Sequence, residues 1–326
     1  MLPSASECAR GSAIEGFLRP RNQIRNIRFA MPTISGRRLP DFIGVGPPRT
    51  ATTWLHEVLA GHVGLPLDRK ETDFFSRRYQ MGLDWYLDYF RLSDPSLPMG
   101  EFSPMYFMSD DARAQIAYDI PGCRIICSFR DPVARVHSQW RLMVRNAWTK
   151  VELAEAVEKH PELRESSRYG HYLGEWIRTF GVDNVLVLFH EDLERDAQAF
   201  VDSVCRFIGI ASVRVADSPV ALARVHPVAV RPKSRRLARH ARNLMAFLND
   251  RRYHRLAAQF RQSALWRFAA ERGEPFAPVD DATDAALRDR FRLEVEELER
   301  LTGRDLSAWK IPRAKRSHAS ERSAVA

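Results

Sequence analysis

The sequence predicts an α/β fold in three layers, a central parallel β-sheet flanked by helices, with extra helices toward the C-terminus. Three short apolar segments carry this prediction: residues 41–46, 124–129 and 184–189. Segments that are apolar throughout suit strands buried on both faces, as in parallel sheets. Each is followed by a stretch with helical periodicity, and this alternation is typical of parallel sheets covered on both sides.

Sequence signals also mark where the helices begin and end. The first helix is expected to start at Thr52 and to end before Gly61. The second is expected to start at Pro132, since proline suits a first helical turn, and to run toward Asn146. Further helices are expected at residues 172–179, around Phe200 to Phe207, and at 235–260 and 285–302.

Composition and cysteine content narrow the class of protein. The 326 residues are 45% hydrophobic and 28% charged, which is typical of a folded protein. Four cysteines without CxxC spacing argue against a disulfide scaffold and a structural zinc, and no metal is expected. No apolar run reaches the roughly 18–20 residues of a membrane span, and the N-terminus does not resemble a secretory signal. A cytoplasmic location is therefore expected.

The net charge of +9 is concentrated in two segments. Residues 1–40 carry a surplus of five positive charges and residues 224–261 a surplus of ten. The pattern suits an anionic ligand better than a nucleic acid, although a solvated arginine-rich helix face explains it equally well. We predict a basic, flexible arm at 1–40, one folded domain at 41–310 and a disordered tail at 311–326.

The loop GPPRTATT, residues 46–53, joins the first strand to the first helix. Such a loop directs several backbone N–H groups, together with the positive end of the helix dipole, at one point that favours a phosphate. Against the ATP-binding pattern G-x-x-x-x-G-K-[ST], Ala51 replaces the second glycine and Thr52 replaces the lysine. Arg49 is the only cation inside the loop. The pattern indicates a P-loop-like phosphate site, with an ordinary strand-to-helix turn as the alternative.

Three later segments occur in a recognisable order: KETDFF from residue 70, GEFSPMYF at 100–107 and IICSFRDPVARVHSQW at 125–140. Together with the loop and the closing LERLTGRDLSAW, they resemble sulfotransferases that use 3′-phosphoadenosine 5′-phosphosulfate (PAPS). The likeness extends over residues 41–309 and is greatest to the heparan sulfate sulfotransferase branch and its bacterial relatives. It implies transfer of a sulfuryl group from PAPS to a hydroxyl or amine, leaving adenosine 3′,5′-bisphosphate.

The resemblance also implies which residues bind the donor. It assigns the 5′-phosphosulfate to the loop residues Arg49, Thr50, Ala51, Thr52 and Thr53. It assigns the 3′-phosphate to Arg130 and Ser138, although Arg130 could instead form an ion pair with Asp131. A late basic loop is implied to close over the 3′-phosphate, with Arg231, Lys233 and Arg235 as candidates. Arg135 is assigned to structure.

The catalytic roles follow from the same resemblance. Glu71 is the expected general base, Arg49 stabilises charge on the leaving phosphate, and Lys70 supports the transferred sulfonate. His56 is the alternative base. Phe102 departs from the family pattern, because a lysine often follows the glutamate of this segment.

Two other functions remain possible on the sequence alone. A P-loop kinase or NTPase would need a cation in place of the missing loop lysine. A catalytically inactive nucleotide- or polyanion-binding module would explain the departures at Ala51 and Phe102. The acceptor is not identified by the sequence: a carbohydrate, a glycolipid and a small metabolite all remain, with a weak preference for an anionic one.

Overall fold

A computed structural model describes residues 33–34, 36–218, 230–232, 234–250, 253–266 and 273–312. The strands, in chain order, are β1 (Thr33–Ile34), β2 (Arg37–Arg38), β3 (Phe42–Gly46), β4 (Gly100–Phe102), β5 (Arg124–Phe129), β6 (Val185–Phe189), β7 (Val230–Pro232) and β8 (Gly273–Pro275). Most of the predicted arm and all but two residues of the predicted tail lie outside the described residues.

The helices surround the strands. In chain order they are α1 (Thr52–Leu59), α2 (Leu83–Leu87), α3 (Asp110–Asp119), α4 (Pro132–Arg145), α5 (Leu153–Lys159), α6 (Pro161–Glu165), α7 (Tyr169–Phe180), α8 (His190–Arg195), α9 (Ala197–Ile208), α10 (Arg235–Asp250), α11 (His254–Gln262), α12 (Asp281–Thr302) and α13 (Ser307–Lys310). Short helical turns occur at Phe74–Arg78, Tyr79–Met81, Asp88–Phe90, Pro104–Met108, Val182–Asn184 and Val215–Asp217. In the described ranges no helix is long and apolar enough to cross a membrane.

The central sheet is parallel, with the strand order β4-β3-β5-β6. Ile43 of β3 is in register with Glu101 on one side and with Ile125 on the other. The predicted parallel sheet is therefore confirmed. The edge strand β4 was not expected, because three residues that include a glycine and a glutamate show no strand periodicity.

Helices cover both faces of this sheet, as the three-layer prediction requires. One face packs Ile43 and Ile125 against α3, α7 and α12. The opposite face packs Phe42 and Ile126 against α1 and α9. Gly44 permits the close packing of β3 on β4, since a Cβ at this position would lie 2.2 Å from the ring of Phe102.

A buried ion-pair network fixes α4 against the C-terminal helix α12. The side chain of Asp131 caps α4 by accepting from the backbone N–H of Val133. Arg288 donates to Asp131 at 3.1 Å and to Asp284 at 2.9 Å, and all three side chains are largely buried. The start of α4 is therefore held in place from within the protein.

The ends of the fold differ in detail from the sequence prediction. Ordered structure begins before residue 41, since Leu39 is fully buried and Arg38 pairs with Asp41 at 2.9 Å. The helical region expected at 235–260 is divided into α10 and α11. Three cysteines are buried and free: Cys123, Cys127 and Cys205.

Candidate active site

A cleft of about 1230 Å³ opens at the carboxyl ends of the parallel strands. Ligands of parallel α/β sheets bind at this edge, because the loops and the helix N-termini that follow the strands meet there. The cleft is lined by the whole loop from Arg49 to Thr53, by Lys70 and Glu71, and by Arg130. The structure thus brings together segments that are up to 81 positions apart in the chain.

The loop after β3 has two residues in the left-handed conformation. Arg49 has φ 72° and Ala51 has φ 74°, where glycine is the residue with no steric penalty. Left-handed residues alternating with ordinary ones turn successive N–H groups toward one side, which creates an anion-binding concavity at the start of α1. The loop keeps this shape although Ala51 replaces the expected glycine.

Thr50 holds the loop in shape. Its side chain is fully buried, and its hydroxyl donates to the carbonyl of Pro47 at 2.6 Å. Ser128, on β5, donates to the carbonyl of Thr50 at 2.8 Å. The hydroxyl of Thr50 is therefore hydrogen-bonded within the protein, although Thr50 is one of the residues that line the cleft.

Arg49 lines the cleft and contacts Ser138, a buried residue of α4 that is not among the lining residues. The Nε of Arg49 donates to the Oγ of Ser138 at 3.0 Å. Burial, followed by the positive charges of Arg145, Arg130 and Arg141, lowers the pKa of Arg49 to about 10. The guanidinium remains charged at neutral pH in a strongly positive environment, so an entering anion would relieve this repulsion.

Arg130 lies at the end of β5 and lines the cleft. Its carbonyl accepts a hydrogen bond from the hydroxyl of Tyr169 at 3.0 Å, which fixes the backbone there. Asp131, the alternative partner of Arg130, pairs with Arg288 at 3.1 Å. Arg135 is fully buried and donates to Ser167 and to the carbonyl of Leu163, in agreement with a structural role.

Lys70 connects the loop with the expected base. Its Nζ donates to the hydroxyl of Thr52 at 3.2 Å and to the carboxylate of Glu71 at 2.8 Å. The side chain of Lys70 is only 16% exposed, whereas that of Glu71 is 42% exposed. The carboxylate of Glu71 is therefore accessible to a molecule in the cleft, beside a cation that also contacts the phosphate-binding loop.

A buried carboxylate fixes the turn that carries Glu71. Glu101, fully buried on β4, accepts from the hydroxyl of Thr72 at 2.6 Å. It also accepts from three other hydroxyl groups: those of Ser103, Tyr86 and Tyr106. Burial raises the pKa of Glu101, and these hydrogen bonds oppose that shift. Because Thr72 follows Glu71 directly, the network holds the turn against the sheet.

His56 does not line the cleft. Its ring packs edge-on against Phe102, with 6.4 Å between centroids, and both ring nitrogens are buried without a hydrogen bond among the described residues. Burial, and then the charge of Lys70, lowers the pKa of His56 to about 4. Phe102 occupies the position where the family pattern often has a lysine. Because Phe102 is fully buried, this position supplies no cation to the cleft.

Of the three late basic candidates, Arg231 is the one whose side chain the structure describes, and it does not line the cleft. Arg231 forms a bidentate ion pair with Glu152, at 2.7 and 2.9 Å, and lies over the rings of Trp140 and Phe276. Lys233 lies outside the described residues, and of Arg235 only the backbone is described, at the start of α10.

Several residues that line the cleft were not predicted from the sequence, among them Trp54, Asp73 and His190. His190 follows β6 directly, and burial lowers its pKa to about 4. The rule that ligands bind at the carboxyl ends of parallel strands would have identified it. Asp73 has φ 50°, and burial, together with the charge of Glu71, raises its pKa.

Fold and site together define a P-loop-like α/β protein with a cleft at the carboxyl ends of its parallel strands. The profile of the "Sulfotransferase domain" family matches residues 39–224, more than half of the chain. The chain therefore belongs to the sulfotransferase domain family, and the resemblance stated from the sequence is confirmed.

Individual relatives agree with this assignment. The chain is 30% identical over 199 residues to a human bifunctional heparan sulfate N-deacetylase/N-sulfotransferase 3, covering 53% of this chain and 22% of that protein. It is 26% identical over 229 residues to human heparan sulfate glucosamine 3-O-sulfotransferase 3B1, covering 65% and 58%. The chain thus spans about a fifth of the bifunctional relative and somewhat over half of the other.

A solved structure supports the fold. The crystal structure of a sulfotransferase from Alicyclobacillus acidocaldarius superposes with a TM-score of 0.61 at 19% identity, covering 84% of this chain and 99% of the other. At this identity the likeness concerns the fold alone.

Proposed function

We propose that this protein transfers a sulfuryl group from PAPS to a hydroxyl or amine of an acceptor. The observation that carries the proposal is the convergence of the loop at 49–53, Lys70, Glu71 and Arg130 on one cleft. The proposal rests also on membership of the sulfotransferase domain family. Bound PAPS would supply the sulfuryl group and leave as adenosine 3′,5′-bisphosphate.

The residues of the cleft fit such a donor. Arg49 and Arg130 both line the cleft, and neither forms an ion pair with a carboxylate among the described residues. The backbone N–H groups of the loop and the N-terminus of α1 add further donors for the 5′ group. Arg130 lines the cleft after β5 and suits the 3′-phosphate, and Ser138 on α4 is connected to the cleft through its hydrogen bond with Arg49.

The roles of the side chains follow from this placement. Glu71 takes the proton from the acceptor nucleophile, since its carboxylate is the accessible one beside the loop. Arg49 and the loop N–H groups stabilise the negative charge that grows on the leaving phosphate. Lys70 contacts both Thr52 and Glu71, so it lies between the loop and the expected base. From this position it stabilises the transferred sulfuryl group.

We propose a carbohydrate as the acceptor, with N- and O-sulfation both open. The named relatives act on heparan sulfate or its glucosamine residues. The residues that line the cleft all lie within the family match at 39–224. The surplus of arginines around Arg49 suits an anionic acceptor.

Calorimetric titration with adenosine 3′,5′-bisphosphate, ATP and AMP tests the donor assignment directly. We expect tight binding of the bisphosphate alone, and a loss of at least tenfold in affinity for Arg130→Ala. The exposed Arg195→Ala is the matched control, because Arg195 does not line the cleft and pairs locally with Asp192. A preference for ATP, or indifference to the 3′-phosphate, would replace this proposal with a P-loop kinase.

A further inference from the structure

The cleft extends beyond the residues assigned to the donor. A volume of about 1230 Å³ exceeds the roughly 300–1000 Å³ of a typical small-molecule site, which leaves room for a second ligand. The additional wall is formed by the C-terminal half of α4, by the turn after it and by α6. Its residues are Gln139, Leu142, Met143, Trp148 and Glu162.

Trp148 is the most conspicuous residue of this wall. Its side chain is 64% exposed although it lines the cleft, so one face of the indole remains open to a ligand. Trp148 differs from the other exposed aromatic side chains because it lines the cleft, where an indole offers a large apolar face and a polar N–H to a ligand.

The backbone holds Trp148 rigidly. Ala147 has φ 58°, the backbone N–H of Trp148 donates to the carbonyl of Met143 at 2.9 Å, and that of Ala147 donates to the carbonyl of Val144 at 3.0 Å. These two bonds form a Schellman cap at the end of α4, with Ala147 where glycine is usual. The indole ring therefore extends from a fixed helix end, whose cap requires Ala147 to adopt a left-handed backbone conformation.

A polar group on the same wall lacks a partner within the described residues. The Oε1 of Gln139, which lines the cleft, is buried without a hydrogen bond. Buried polar atoms are normally paired, so an unpaired amide oxygen beside a ligand cleft points to a partner that binds there.

We propose that this wall is a saccharide subsite, in which the indole face of Trp148 stacks on a sugar ring of an anionic oligosaccharide acceptor. The inference rests on the proposed function, which it deepens by naming the acceptor class and its subsite. The carbonyl oxygen of Gln139 accepts from a sugar hydroxyl, and Glu162 accepts from another.

A cation that lines the same cleft is available for an anionic saccharide. Arg77 is one of the lining residues, and it forms no ion pair among the described residues. The donor's two anionic groups are already assigned to the loop with Arg49 and to Arg130. Arg77 therefore remains as a cation for a carboxylate or sulfate on the acceptor.

The test measures saccharide binding with the donor site filled by adenosine 3′,5′-bisphosphate. The probes are a heparosan hexasaccharide, which alternates glucuronate with N-acetylglucosamine, and neutral chitohexaose. Titrations compare the wild type with Trp148→Ala, Trp148→Phe and the control Tyr118→Ala, whose ring is 83% exposed on α3 outside the cleft. We expect Trp148→Ala to weaken heparosan binding about three- to tenfold, Trp148→Phe to retain most of the affinity, and Tyr118→Ala to change nothing.

The bisphosphate titration separates the two proposals. An unchanged bisphosphate affinity in Trp148→Ala supports the subsite, whereas an equal loss would place Trp148 in the donor site and overturn it. If neither saccharide binds saturably while the bisphosphate does, the saccharide subsite is wrong and the sulfotransferase proposal survives. Binding of chitohexaose as tight as that of heparosan would overturn the preference for an anionic acceptor.

Discussion

Arg49 and Ser138 are 89 positions apart in the sequence, yet the Nε of Arg49 donates to the Oγ of Ser138 at 3.0 Å. The bond connects the loop after β3 with the helix after β5, the two segments to which the 5′ and 3′ groups of the donor are assigned. A guanidinium has five donors, so Arg49 can keep this bond and still bind a phosphate. The two segments assigned to the anionic groups of the donor are therefore in direct contact.

A double-mutant cycle on this pair measures the coupling. We expect Arg49→Ala to lower kcat/KM at least 100-fold, because it removes the cation at the leaving phosphate. Ser138→Ala should lower it about tenfold, and the double variant should lose less than the sum of the two effects, since each single change already breaks the bond. Steady-state kinetics with bisphosphate titrations provide the measurement, and strict additivity would show that the two residues act independently.

Glu71→Gln tests the assignment of the general base. The variant keeps the size of the side chain and its contact with Lys70 but cannot take a proton, so kcat should fall by about 100-fold or more. The affinity for adenosine 3′,5′-bisphosphate should change little, because the proton is taken from the acceptor. Glu57→Gln, at an exposed position on α1 outside the cleft, is the control. Retention of more than a third of wild-type kcat would assign the base to another residue.

The sequence predicted which segments form this site, but not which side chains of those segments face the cleft. The loop at 49–53, Lys70, Glu71 and Arg130 carry local patterns, and parallel topology brings them to one edge of the sheet. Whether a hydroxyl such as that of Thr50 faces the ligand or the protein depends on tertiary hydrogen bonds. The bonds to Pro47 and from Ser128 have no counterpart in sequence spacing.

Long-range pairs explain the other differences. Arg231 lies in a basic segment whose composition favours phosphate binding. It nevertheless pairs with Glu152, 79 positions away. The edge strand β4 could not be recognised from its three residues. Glu101 on this strand is buried, and it accepts hydrogen bonds from hydroxyl groups at distant sequence positions. His190 directly follows β6, but no sequence motif surrounds it, so only the parallel topology identifies it as a residue of the cleft.

Ala51→Gly should stabilise the protein. Ala51 has φ 74°, where alanine is disfavoured and glycine is not, so the replacement should raise the free energy of unfolding by about 0.5–1 kcal/mol. The matched control is Ala60→Gly at the end of α1, where φ is −58° and the same exchange should lower it by a similar amount. Denaturant unfolding of both variants gives the comparison, and a loss of stability in Ala51→Gly would mean that the contact of the Ala51 methyl group with its core neighbours outweighs the backbone strain.

His56→Phe should make the stability of the protein less sensitive to acid. The folded protein holds the pKa of His56 at about 4, below the roughly 6.5 of an unfolded histidine, because the ring is buried and Lys70 lies nearby. The unfolded chain therefore binds more protons as the pH falls from 6.5 toward 4, and wild-type stability decreases over this window. Between pH 7.5 and pH 5 this contribution amounts to about 2 kcal/mol, which the variant lacks. The measurement is the difference in unfolding free energy between variant and wild type at the two pH values, so a constant packing effect of the larger ring cancels. The same replacement at the exposed His62 controls for the loss of a histidine. If the difference in unfolding free energy at position 56 does not change with pH, His56 is protonated in the folded protein as readily as in the unfolded chain, and the prediction is wrong.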